Sequence, residues 1–175
     1  FCMIREAFSL LLSAALPLAA CTTAPAAPSA PVVQAAAPAA LSAPGFYDFE
    51  TQLAVREQNP VDETFLASVR DFSAQTTAGL LTGRENACYS PASLYFALAL
   101  SAAGAAGNTE TQLLRLLGAP DADTLTQNCA NLYRLLYTDN EVGKMQIANA
   151  LWMESGAEFA PAFLQTASED FYASL

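Results

Sequence analysis

The sequence has no histidine, only 7 basic side chains against 17 acidic ones, and 4 cysteines in 175 residues. Without an imidazole the commonest metal ligand and general base are missing, so no metal centre of that kind and no histidine-dependent catalytic triad is expected. A formal net charge of −10 repels phosphate and sulfate, which argues against a nucleic-acid or heparin surface and against charge-driven attachment to anionic membranes. Four cysteines are too few for a disulfide scaffold at this length. No catalytic residue and no cofactor suggests itself. The expectation is a non-enzymatic protein, and the search turns to anchoring, binding and partner recognition.

What is present first is an export signal. Residues 1–21 combine a weak positive start at Arg5 with an apolar stretch from Ala7 to Leu16. A largely apolar stretch of ten residues suits a signal-peptide core and falls short of the roughly 20 that cross a bilayer. The stretch ends in Leu18-Ala19-Ala20-Cys21, which looks like a bacterial lipobox. Small residues fit the peptidase cleft, and the Cys21 thiol would accept the lipid. The alternative is an ordinary secretory signal cut nearby. Residues 22–45 follow as an Ala/Pro-rich linker without a single charge. Scattered prolines block helix, and there is too little large apolar surface to bury, so a disordered spacer is expected. The localisation this implies is extracellular, cell-surface or periplasmic, lipid-anchored through Cys21.

From residue 46 onward glycine and proline divide the chain into segments. Residues 46–59 give no firm reading. Asp62 or Thr64 can cap a helix to about Leu81, with Phe65, Val69 and Phe72 along one stripe. Ala87-Cys88-Tyr89 reads as a short buried strand. Pro91 opens a helix to about Ala103 that is apolar on nearly every side and so belongs inside a core. Thr109 and Gln112 form a capping box for a helix stopped by Gly118 and Pro120. A further helix starts near Asp121 or Asp123, its stripe being Leu125, Cys129, Leu132 and Leu136. Lys144 to Met153 alternates with both faces mostly apolar, which predicts an interior strand. Pro161 opens the last helix, with Phe163, Ala167 and Phe171 on one face. One long strand and one short one make an incomplete sheet, so a truncated sequence is expected.

Several of these segments carry a resemblance. Asn86-Ala87-Cys88-Tyr89-Ser90-Pro91-Ala92-Ser93-Leu94 is similar to a signature of the serpin family. So is the run Gly104-Ala105-Ala106-Gly107-Asn108-Thr109-Glu110-Thr111-Gln112. Leu116-Leu117-Gly118, Ala148-Asn149-Ala150-Leu151-Trp152 and Pro161-x-Phe163-Leu164 follow in the same order and spacing. The resemblance implies an α+β fold, with residues 46–175 as the amino-terminal part of a serpin domain. It also implies a suicide-substrate inhibitor of extracellular serine or cysteine proteases. A cleaved reactive loop inserts into the central sheet and carries the acylated protease with it. That loop lies outside this chain, so no bait residue can be named. The alternative is a non-inhibitory, serpin-fold surface binding protein.

By the same resemblance, Ser90, Pro91 and Ser93 match the shutter beneath the point where the sheet parts. Asn149, polar on a mostly apolar strand face, needs a buried partner and is assigned to the same network. Cys88 replaces a large apolar or aromatic residue of the family pattern; a small buried thiol is expected, with a Cys88–Cys129 disulfide as the alternative. The fourth helix has Arg134 as its only basic residue, so no heparin site is expected.

Overall fold

Pro91 fixes the first turn of the helix around which the other elements pack. The computed structural model describes residues 41–83, 86–154 and 156–175; Cys21 and residues 1–40 lie outside them. Six helices and four short strands follow in order: α1 Phe49–Gln58, α2 Glu63–Leu80, α3 Pro91–Ala103, α4 Gly107–Leu117, α5 Ala122–Leu136, β1 Thr138–Asp139, β2 Lys144–Met145, β3 Asn149–Ala150, α6 Pro161–Glu169 and β4 Ala173–Ser174. The class is α+β and helix-rich. Among the described residues no helix is long and apolar enough to cross a membrane.

Phe65 and Phe72 of α2, Tyr95, Phe96, Ala99 and Leu100 of α3, and Leu117 of α4 form one side of the core. Leu125, Cys129 and Tyr133 of α5 close it from the other side. Leu125 and Cys129 belong to the stripe read from the sequence, whose Leu132 and Leu136 are half-buried against the core, while Tyr133 lies outside that stripe. Ala167, Phe171, Tyr172 and Ala173 seal its end, and Leu41 packs against it. Helix boundaries have local causes. The Asp121 carboxylate accepts the Thr124 N–H at 2.7 Å and its hydroxyl at 2.9 Å, starting α5. The Thr124 backbone N–H is also the main cause that holds this carboxyl below its ordinary pKa. Gly118 ends α4 with φ +66°, and the Ala119 N–H returns to the Leu114 carbonyl at 2.9 Å.

Several local expectations are corrected. Residues 87–89 form no strand, and Cys88 is exposed; no strand among the described residues pairs with them. Cys88 and Cys129 are both free, because Cys129 is sealed in the core while Cys88 faces out. The capping box does not form: α4 begins at Gly107, two residues ahead of Thr109. Gly107 takes φ +62°, which makes the turn directly and leaves Thr109 already inside the helix. The interior strand over 144–153 is replaced by two short pieces. β2 pairs antiparallel with β1, and β3 pairs parallel with β4. The alternation itself survives: Ile147, Asn149, Leu151 and Met153 are half-buried, while Ala148, Ala150 and Trp152 face out, Trp152 at 95% exposure. Only one face is covered. Helix α3 is likewise buried on its core side only, with Ser93, Ala97 and Ser101 exposed. Phe171 is buried, but it lies beyond the end of α6.

A Cβ on Gly118 would stand 2.6 Å from the Ser68 hydroxyl oxygen and 2.9 Å from its Cβ, in a left-handed conformation that disfavours side chains. Gly118→Ala is therefore expected to destabilise the helical body by about 1–3 kcal/mol. The check is thermal melting followed by helical circular dichroism; an unchanged melting temperature would contradict the capping role.

Candidate functional site

Sequence-predicted residues meet along the open side of α3. Ser90 caps that helix: its Oγ accepts the Ser93 backbone N–H at 3.3 Å and the Ser93 hydroxyl at 2.9 Å. Pro91 occupies the first helical position, where a missing N–H costs nothing. The Ser90 oxygen thus accepts twice and has no acceptor for its own hydrogen among the described residues. Both serines are exposed.

Ser93 also lines a groove of about 380 Å³ whose floor is Ala97, Leu100 and Ser101 and whose far wall is Ala148 to Leu151. Phe163 of α6 closes one side. Asn149 stands in that wall. Its Nδ2 donates to the Phe171 carbonyl at 2.6 Å, so the buried partner expected for it is a backbone oxygen just ahead of β4. Asn149 pairs with Ala173 in the β3–β4 register, and the Leu151 N–H donates to Ser174 O at 2.9 Å. The structure therefore places Ser93 and Asn149 on one groove without a direct bond between them, and Ser90 one helical turn away. The close approach of α6 depends on Gly104, where a Cβ would stand 2.7 Å from the Phe163 ring.

A second polar cluster, not singled out in the sequence, fixes the groove's far wall to α5. Tyr133 donates its hydroxyl to the Ile147 carbonyl, and its ring stacks on Tyr172 at 4.4 Å. Arg134 Nε donates to the Tyr172 hydroxyl at 2.6 Å, while its Nη1 reaches Asn131 at 3.2 Å. The signal was present in the i, i+1 pair Tyr133-Arg134, yet nothing local pointed to Tyr172, which adopts φ +50°. Cys129 is chemically inert: burial pushes its thiol up to about 12. Among the described residues no group of three or more metal-ligating side chains is present.

Comparison with known proteins decides the family. The family described as "Serpin (serine protease inhibitor)" matches residues 64–175, more than half of the chain. The chain belongs to the serpin family. Its similar relatives include serpin-Z2A of Oryza sativa subsp. japonica, 35% identical over 96 residues, which are 53% of this chain and 23% of the relative. Serpin-ZX of Arabidopsis thaliana is 29% identical over 92 residues, 51% of this chain and 24% of the relative. Corticosteroid-binding globulin of Oryctolagus cuniculus is 36% identical over 83 residues, 45% of this chain and 21% of the relative. The matches span about a quarter of the length of these serpins. No solved structure matches.

Replacing Asn149 with Leu in this serpin removes the donor to the Phe171 carbonyl and is expected to cost about 1–3 kcal/mol. Ser90→Ala should cost about 1 kcal/mol through loss of the cap. Urea unfolding of the two variants measures both; equal stability of Asn149→Leu and the parent would remove Asn149 from the structural role given to it.

Proposed function

We propose that this chain is part of an exported, lipid-anchored serpin that inhibits a serine-type protease by loop insertion. The family is described as one of serine protease inhibitors, which supports an inhibitory reading over a catalytic one; the finer reading is supported by the groove between α3 and β3. Small hydroxyl-bearing and methyl side chains, Ser93, Ala97 and Ser101, floor it. A strand can slide over such a floor without displacing bulky groups, and hydroxyls can trade partners as it moves. In this proposal the Ser90 hydroxyl holds the sheet shut by donating to a strand carbonyl of the intact fold, and Ser93 orients it through their mutual hydrogen bond. Pro91 fixes their helix end, and Asn149 ties β3 to the chain entering β4. The reactive loop, beyond this chain, is cut by the target protease. Its insertion then relieves strain held in the intact fold. Lipid on Cys21 keeps the inhibitor at the cell surface or in the periplasm, where it meets extracellular proteases; nucleic acid and heparin play no part.

A second reading is a non-inhibitory binding protein on the same fold. The match to a relative named as a corticosteroid-binding globulin favours it. Incubating the full-length parent with a panel of serine proteases separates the two. Inhibition by insertion predicts an SDS-resistant complex and a loop-cleaved form that melts well above the intact one. Cleavage with no complex and an unchanged melting temperature would overturn it in favour of binding.

A further inference from the structure

An apolar surface lies just where the uncharged linker ends. Tyr47 is 74% and Phe49 69% exposed, and Phe46 and Leu53 are exposed as well. The rings of Phe46 and Tyr47 meet edge to face at 5.0 Å. Phe49 and Leu53, one turn apart on α1, share a helix face.

These side chains are held outward by polar bonds of their own backbone. Asp48 caps α1 by accepting the Thr51 N–H at 3.1 Å. The Phe46 N–H donates to the Glu141 carboxylate at 3.2 Å, and the Gln52 amide donates to the Phe46 carbonyl at 2.8 Å. The segment is thus pinned to the body, and its aromatics are presented and not folded under.

We propose that this patch seats on a lipid surface, as the protein-side contact of the tethered chain; the proposal rests on the lipidation of Cys21 proposed above. Only residues 22–45 separate Cys21 from Phe46. A disordered chain of that length spans from about 25–30 Å as a random coil to about 75 Å fully extended as polyproline, so a lipid on Cys21 would keep the patch within reach of the bilayer at raised effective concentration. The tyrosine ring suits the headgroup level of a membrane, where its apolar body and polar tip are both satisfied, while phenylalanine and leucine side chains bury their apolar area at the acyl boundary. Asp48, Glu50 and Glu141 flank the patch, while Arg56 and Arg134 line the hollow beside Phe46, so the mixed charges give anionic headgroups no strong advantage. The seat is made by apolar area and works on zwitterionic lipid.

The test uses the full chain carrying Trp152→Phe and Phe49→Trp. Trp152 is the only tryptophan and is 95% exposed, so this moves the single indole into the patch without touching the core. On phosphatidylcholine vesicles with brominated acyl chains, the indole of the lipid-bearing chain is expected to blue-shift and lose about half its emission or more, independently of salt. Adding Phe46→Ser and Tyr47→Ser should weaken the quenching, and Cys21→Ser should raise the lipid needed for it by about tenfold or more. Unquenched emission from a chain whose amino-terminal peptide carries lipid overturns the patch and leaves the anchor standing. A blue shift without quenching means the rings are covered by protein, and overturns it too. If mass spectrometry finds no lipid on Cys21, the anchor fails. The patch is then judged by the untethered chain at high lipid, where absent quenching overturns it.

Discussion

The phenol ring of Tyr95 is met edge-on by Phe65 at 5.7 Å and Phe72 at 5.3 Å, and its hydroxyl donates to the Leu117 carbonyl at 2.9 Å. Three helices therefore converge on one side chain: α2 supplies the rings, α3 the phenol, α4 the acceptor at its own last turn. Burial pushes the phenol's pKa well above its ordinary value, so it stays a neutral donor across the physiological range. The bond satisfies a helix-end carbonyl that would otherwise be buried without a partner. Gly118, directly after Leu117, lets the chain leave α4 without obstructing that contact. The rest of the helical body is positioned from here.

With one side of α3 committed to this core, its other side is a rigid surface of small residues. Ser93, Ala97 and Ser101 recur at four-residue spacing and present little bulk. Across the groove, β3 is held by different means: the Asn149 amide on the Phe171 carbonyl, and Tyr133 and Tyr172 behind it. The helix is fixed by apolar packing and aromatic edges, while the strand is fixed by a few polar bonds that can be exchanged. That division of labour is what a serpin sheet that must open would need, and it gives the shutter proposal its physical content.

Much of this was legible in the sequence, for identifiable reasons. The α5 stripe of Leu125, Cys129, Leu132 and Leu136 has an unbroken helical period, its first half buried and its second half-buried beside Tyr133, and Asp121 caps the helix as its chemistry dictates. Pro91 behind Ser90 marked the start of α3 unambiguously. The misses have equally local causes. Residues 46–59 mix aromatics with charges without a stripe, because α1 rests on α5 through few apolar residues and leaves Phe49 and Leu53 in the open. The segment 144–153 reads as a fully covered strand because its outward residues, Ala148, Ala150 and Trp152, are apolar, although the structure leaves them exposed. Composition cannot separate an apolar face that is covered from one that is not. Pairing of β3 with β4 was hidden as well, since two residues on each strand carry no periodicity. The polar partners of Asn149 and Arg134 are backbone or distant side chains, and no local pattern encodes either.

The central claim is that α3 is a fixed floor and β3 a separable strand above it. Native-state hydrogen exchange measures this directly. Amides of α3 from Tyr95 to Ala102 should exchange slowest, through global unfolding. The Leu151 amide, bonded to the Ser174 carbonyl, should exchange through a local opening at least about tenfold faster. Equal protection of Leu151 and the α3 amides, rising and falling together with denaturant, would mean that strand and floor open as one unit and would contradict the account.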